Sequence, residues 1–343
     1  MIPASPLFSQ IPLPRAADRN PRWQQHWRDA ITDPIELLQL LGLESQAVEL
    51  LAAADTGFAL RVPRGFAARM RHADPADPLL LQVLPGVAEL ALTPGYSIDA
   101  VGDMAARASP GVLHKYEGRA LLIATGSCAI HCRYCFRRHF PYADETAASG
   151  HWQSAIAHLA GDESISEVIL SGGDPLSLAT NKLTELTDAL ATIPHVRRLR
   201  IHTRLPVVLP QRVDAELIDW LDGLSMQKVV VLHANHANEI DSSVADACRK
   251  LAASGASLLN QSVLLRRVND SVDALANLSE ALFACGVLPY YLHQLDRVHG
   301  TAHFEVQDQT AQDLVTELRT RLPGYLVPRL VREAAGATSK LPV

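Results

Sequence analysis

From residue 119 onward short, β-rich runs recur, and between the runs apolar residues return at helical spacing. The runs are ALLIAT (120–125), EVILSG (167–172), RLRIHT (198–203), VVVLHA (229–234), SLLNQSV (257–263) and LPYYLH (288–293). Runs of this length, rich in Val, Ile and Leu, predict buried strands. The amphipathic stretches between them, near 150–161, 178–192, 214–223, 240–254 and 272–284, predict helices. Strand–helix alternation of this kind implies right-handed βαβ units and a parallel sheet. Six such strands suit an open, partial barrel, but a doubly wound sheet would show the same periodicity. Ahead of residue 119 the texture differs. Trp23 to Leu43 reads as helix, with Leu37, Leu38, Leu40 and Leu41 apolar, Asp33 as a plausible N-cap and Pro34 in the first helical position. More helix is expected to about residue 72. Residues 73–115 carry several Pro and Gly and predict irregular connections, and the Pro-rich residues 1–20 predict extended chain. No internal repeat or low-complexity tract is present.

Composition narrows the class. The chain has 343 residues, 48% hydrophobic and 20% charged, with a net charge of −6. At roughly 100–200 residues per domain, that is one large domain with an appendage, or two domains. Nothing in the charge calls for nucleic acid or an anionic membrane. No apolar run approaches the roughly 18 residues a membrane helix needs. The N-terminus lacks a basic start followed by a long apolar stretch, so no secretory signal is expected. Five cysteines, three of them clustered, do not make a disulfide framework.

The clustered three are Cys128, Cys132 and Cys135, in GSCAIHCRYCFRRHF, directly after ALLIAT. Three thiolates at this spacing can hold three irons of a four-iron cluster and leave the fourth open, whereas electron-transfer clusters usually take four cysteines. The competing assignments are a zinc site completed by His131 or His139, and three free thiols. In parallel α/β folds chemistry gathers at the C-terminal ends of strands. Here polar residues recur at six successive exits: the cysteines; SGGDP (171–175); His202, Thr203 and Arg204; His233, Asn235 and His236; Asn260 and Gln261 on the fifth strand; and His293, Gln294 and Asp296. SGGDP taken alone also reads as a βα turn with Asp174 capping the next helix.

The C-x-x-x-C-x-x-C spacing, with the aromatic Tyr134 just before the last cysteine, resembles the radical S-adenosylmethionine (SAM) superfamily. A closer resemblance is carried by HKYEGRALLIATGSCAIHCRYCFRRHF, SGGDPL, RIHTRLPVVLPQR, NQSVLLRRVND, PYYLHQLD and PRLVREAAGATSK. These segments, over roughly residues 110–340 and in this order, are similar to lysine 2,3-aminomutase. Within that family the N-terminal region and the short C-terminus look most like the enzymes that make (R)-β-lysine for modifying elongation factor P.

The resemblance implies an α/β fold: a six-unit, partial TIM-like radical SAM barrel at 111–300 holding the cluster loop, a mainly helical region at 1–110, and a C-terminal segment at 301–343 carrying a pyridoxal 5′-phosphate (PLP) lysine. It implies a four-iron cluster on Cys128, Cys132 and Cys135, and SAM held by Tyr134, Gly172, Gly173, Asp174, His233 and Gln261. It makes Lys340 the catalytic lysine that forms a Schiff base with PLP, with Arg119 and Lys115 at the phosphate. Arg137 would take the substrate carboxylate; Asp296 and Glu333 would take the lysine ε-ammonium. Glu333 departs from the aspartate that well-known members carry. The implied reaction is L-lysine to β-lysine, with flavodoxin or ferredoxin as electron donor and a functional link to elongation factor P and its lysyl-transferring ligase. No structural zinc is expected, since position 271, a zinc cysteine in clostridial members, is Ser271 and the chain stops at Val343. Cys248 and Cys285 are expected to be core thiols. Oxygen-sensitive iron–sulfur chemistry implies a reducing, cytoplasmic setting. Two other classes remain open: a radical SAM enzyme that consumes SAM as oxidant on another substrate, and an iron–sulfur protein that binds translation factors.

Overall fold

The computed structural model describes residues 22–46, 57–143 and 152–343. The extended chain expected at 1–20 lies outside them. Among the described residues ten strands form one sheet whose spatial order is the chain order: β1 (Arg107–Ser109), β2 (Val112–Tyr116), β3 (Arg119–Thr125), β4 (Glu167–Gly172), β5 (Arg198–Thr203), β6 (Gln227–Leu232), β7 (Ser257–Val263), β8 (Leu288–His293), β9 (Arg329–Arg332) and β10 (Leu341–Pro342). Neighbours from β3 through β9 pair in parallel. β1 and β2 add to one side and β10 to the other, all antiparallel.

The order settles the choice that periodicity left open. A doubly wound sheet reverses direction at a switch point. Here each new strand is added on the same side. With right-handed crossovers, that puts every connecting helix on one face and curls the sheet into a partial barrel. The helices lie at Gln153–Gly161, Thr180–Ala191, Ala215–Gly223, Ser242–Ala253 and Val272–Ala284, as their periodicity predicts. Ser242–Ala253 shows why. Asp241 accepts from the Val244 N–H at 3.0 Å, a cap worth about 1 kcal/mol. Val244, Ala247, Cys248 and Leu251 form the stripe that is buried against the sheet. Cys285 is buried in the same core, so both outlying cysteines are core thiols.

Several expectations need correction. Among the described residues seven strands, not six, run parallel; β9, four residues long, pairs with β8 on one side and β10 on the other. The helix expected over Trp23–Leu43 is two, Trp23–Arg28 and Pro34–Leu40. Pro34 cannot sit inside a helix but suits its start, and Asp33 caps that start through the Ile35 N–H at 2.9 Å. Between the two, Ile31 bridges to Val62. Among the described residues from 57 to 72 only Arg64–Ala67 is α-helical. The irregular 73–115 region contains β1 and β2. β6 ends two residues early, because the Asn260 side chain takes both the N–H and the carbonyl of Ala234, at 2.9 and 3.1 Å. Among the described residues no helix is long and apolar enough to cross a membrane.

Candidate active site

Side chains alternate across a strand, so one face of the sheet meets the helices and the other lines a cavity. On β5, Leu199 and Ile201 are buried on the helix side, while Arg200 and His202 line the cavity. On β7, Leu258, Asn260 and Ser262 take the helix side, and Gln261 and Val263 the cavity. The cavity measures about 510 Å³. Cys128, Cys132, Cys135, Gly172, Gly173, Lys340, Asp296 and Glu333 all line it, although they come from segments far apart in the chain.

The cysteine loop and the SGGDP segment are clamped together. Gly173 N–H donates to the Thr125 carbonyl at 2.7 Å and Asp174 N–H to that of Ser127 at 2.8 Å. A Cβ on Gly173 would stand 2.5 Å from the Ser127 oxygen, and Gly172 holds a φ of +108°. Both glycines are therefore required by the contact between loops as well as by any ligand. The Asp174 carboxylate accepts from Leu176 N–H, Thr203 Oγ1, Arg204 N–H and Leu205 N–H, between 2.7 and 3.1 Å. The Asp174 side chain thus serves as a scaffold group that caps the next turn, the alternative left open for SGGDP, while the residue itself still lines the cavity.

The three thiols share one wall of the cavity. Burial pushes the Cys128 thiol well up and the Cys135 thiol up to about 11, so a metal must displace the protons. Among the described residues no three His, Cys, Asp or Glu side chains converge on a single ion; in a four-iron cluster each thiolate holds a separate iron. The histidines of the zinc alternative turn elsewhere. His131 Nδ1 lies 2.9 Å from the Ala59 carbonyl and its ring stacks on Phe58. His139 Nε2 lies 3.3 Å from the His299 carbonyl.

At the other end, ionised groups alternate in sign. Arg137 Nε donates to Asp103 Oδ2 at 2.6 Å, and Lys115 Nζ lies 2.6 Å from Asp103 Oδ1. Lys115 also donates to Glu333 Oε1 at 2.8 Å, and Lys340 Nζ donates to Glu333 Oε2 at 2.9 Å. The β9–β10 register creates the last contact: Leu341 pairs with Arg332, which sets Lys340 opposite Glu333. Burial alone would raise the Glu333 carboxyl, but Lys340 and Lys115 outweigh it and hold it down at about 2. Asp296 has no such cover. Burial and then the Glu333 charge raise it to about 7, and Lys340 and Lys115 pull it only part way back.

The cavity also fits cofactors of the expected kind. His202 Nε2 and His293 Nε2 are buried with no hydrogen-bond partner, and burial pushes both imidazoles well below their usual value. Neutral, unpaired ring nitrogens facing a cavity invite a ligand's hydroxyl or N–H. Gln261 Nε2 stands 2.9 Å from His233 Nε2. The Arg119 guanidinium lies over the Tyr116 ring, 4.6 Å from its centroid, and Lys340 Nζ lies 5.7 Å from the Tyr291 centroid. Lys115, an expected phosphate ligand, is instead committed to Asp103 and Glu333.

Comparison with known proteins agrees with this geometry. A family model described as a 4Fe-4S single cluster domain matches residues 116–198, the cysteine loop included. L-lysine 2,3-aminomutase of Escherichia coli (strain K12) is 49% identical over 323 residues, covering 94% of each chain. The chain belongs to the lysine 2,3-aminomutase family. The protein of the same name from Haemophilus influenzae is 46% identical over 93% of this chain and 96% of its own. The Clostridium subterminale L-lysine 2,3-aminomutase is 33% identical over 94% of this chain and 77% of its own. Lysine 2,3-aminomutases are radical SAM enzymes, and the curved parallel sheet with a cysteine loop after its first parallel strand is that fold.

Sequence reasoning missed several groups in this aminomutase cavity. Asp103 lies in the stretch read as irregular, and nothing local marks it. Its place between Arg137 and Lys115 exists only in the folded chain. Tyr291 stood inside a strand run with no signal beyond its alternation. Asn235, Asn260 and His236, polar residues at strand exits, serve structure instead. Asn235 accepts from the Val263 N–H at 2.9 Å, and His236 caps a short 3₁₀ turn.

Proposed function

We propose that the protein converts L-lysine to β-lysine by moving the amino group between adjacent carbons, using a four-iron cluster, SAM and PLP. One observation carries the proposal: a single cavity brings the cysteine loop and Lys340 together with a cationic group, Arg137, and two carboxylates, Asp296 and Glu333. An amino acid with an ammonium at the end of its side chain fits that charge pattern. When bound, the cluster and SAM supply a carbon radical, and PLP holds the migrating nitrogen.

The chain's own residues do the rest. Cys128, Cys132 and Cys135 hold the cluster. Tyr134, His233, Gln261 and the Gly172–Gly173 backbone line the SAM position. Lys340 anchors PLP, and Arg119 offers a cation to its phosphate. Arg137 grips the substrate carboxylate, its orientation set by Asp103 at Nε. Glu333 stays ionised and can hold either the Lys340 ammonium or that of the substrate. Asp296 ionises when the substrate ammonium arrives.

The test is anaerobic reconstitution with iron, sulfide, PLP and SAM, followed by mass spectrometry of the products from isotope-labelled lysine. β-Lysine with SAM regenerated is expected. SAM consumed in step with product supports the oxidant class instead, and no turnover of lysine overturns the assignment. Norleucine, which lacks the ammonium, should react far more slowly, since a buried charge left unpaired typically costs several kcal/mol. We propose further that the product is the R form, destined for elongation factor P. Support comes from the resemblance of the N-terminal region to enzymes of that kind. Chiral chromatography of the product and the mass of elongation factor P in cells lacking this protein test that step.

A further inference from the structure

Arg204 leaves the end of β5 with its guanidinium buried. Nη1 donates to Cys132 Sγ at 2.7 Å. Nη2 donates to Gln82 Oε1 at 2.7 Å and to Glu239 Oε2 at 2.9 Å. The partners are themselves fixed. Gln82 Oε1 also accepts from Asn235 Nδ2 at 3.0 Å, and Gln82 Nε2 donates to Glu239 Oε1 at 3.2 Å. Glu239 Oε1 further accepts from the backbone N–H groups of Asn235 and His236, at 2.8 and 3.1 Å. Gln82 and Glu239 are both wholly buried. The Tyr134 ring covers the guanidinium from 5.6 Å and the Phe66 ring from 5.5 Å. The network thus holds the cation in one orientation, with one edge on a carboxylate and a carboxamide and the other edge on a sulfur.

That sulfur stands in for the thiolate that would ligate iron. Hydrogen bonds to ligand sulfurs and nearby charge are among the factors that set a cluster's reduction potential. A donor drains electron density from the sulfur, and a fixed cation at close range favours the form that carries one more electron. We propose that Arg204 is a positioning residue that acts through Cys132 to raise the reduction potential of the cluster, with Glu239 as the countercharge that limits the effect. The electron comes from an external one-electron reductant and stays on the cluster; no bond forms or breaks at Arg204. The arrangement makes the electron entry that precedes radical formation easier, yet leaves the cluster's open iron untouched. It rests on assigning the cluster to these cysteines and deepens that assignment.

The parent protein, Arg204→Met, Arg204→Lys and Glu239→Gln are reconstituted anaerobically with iron and sulfide. Iron is counted first, and each cluster is then titrated with dithionite while the reduced signal is followed by electron paramagnetic resonance. Iron content tests the cluster assignment; the midpoint potential tests this inference. Arg204→Met should shift the midpoint to more negative values by at least a tenfold change in the reduction equilibrium, about 59 mV for one electron. Arg204→Lys should fall between it and the parent. Glu239→Gln should shift the midpoint the other way. A purely structural role lowers iron content or broadens the signal, but does not give shifts of opposite sign. A full complement of iron with an unmoved midpoint in Arg204→Met overturns the proposal. Should Arg204→Met lose its iron, the sign of the Glu239→Gln shift decides: positive supports the proposal, and zero or negative overturns it.

Discussion

Asp296→Asn should stabilise the empty protein and weaken its grip on lysine, and both effects should depend on pH. In the folded chain burial and the Glu333 charge raise the Asp296 carboxyl from 3.8 to about 7. A carboxyl whose folded value exceeds its unfolded value binds a proton more tightly when folded. Its ionisation therefore costs nothing below about pH 4, and the cost grows to its full amount above about pH 7. At 1.36 kcal/mol per unit, the shift sets an upper bound of about 4 kcal/mol, and water in the open cavity lowers it. Asparagine removes that cost. The unliganded variant should melt higher than the parent at about pH 8, by a margin that shrinks as pH falls and vanishes near about pH 4. Glu333 acts in the opposite sense, but its contribution is lost only as pH falls below about 4 toward its folded value. Lysine binding should show the reverse preference. An ammonium beside Asp296 draws the carboxyl down, so below about pH 7 binding must expel a proton, and affinity should fall about tenfold per pH unit. In Asp296→Asn affinity should be weaker at about pH 8 and lack this proton-linked fall. Thermal unfolding across this range and calorimetric titration of the reconstituted protein with lysine measure both. Identical pH profiles of stability for parent and variant, or equal lysine affinity at about pH 8, would refute the reasoning.

Cys128→Ala, Cys132→Ala and Cys135→Ala should each abolish iron binding after reconstitution, whereas Cys248→Ala and Cys285→Ala should leave it intact; an iron assay decides. Lys340→Ala should lose the borohydride-trapped PLP adduct and keep its iron, and an unchanged adduct, located by peptide mass spectrometry, would name another lysine as anchor. Gly173→Ala should drive a methyl against the Ser127 carbonyl, costing about 1–3 kcal/mol and weakening SAM binding measured by equilibrium dialysis. Asp103→Asn should release Arg137 and Lys115 together and raise the KM for lysine more than it lowers iron content; a KM equal to the parent's would remove Asp103 from substrate positioning.

The sequence by itself determined the parts whose physics is local. Strands β4, β5, β7 and β8 match their predicted runs residue for residue, because a short run that sets large apolar residues between turn signals is a local strand signal. Asp33 and Pro34 announced a helix start through their own backbone chemistry. The cysteine spacing announced a cluster, because three thiolates on one short loop can reach one cube of iron and sulfur. Tertiary structure decided what depends on distant partners. Periodicity could not separate a curled sheet from a doubly wound one; the order of strand pairing did. β2, β9 and β10 are short strands stabilised mainly by their neighbours. That four donors from two strand exits converge on the Asp174 carboxylate shows only in the folded chain. Asp103 looked like nothing until Arg137 and Lys115 closed around it. The Glu333–Lys340 contact and the raised Asp296 carboxyl arise where separate strands meet. Charge interactions fall off with distance in space and carry no trace in sequence separation, so only the folded chain could reveal them.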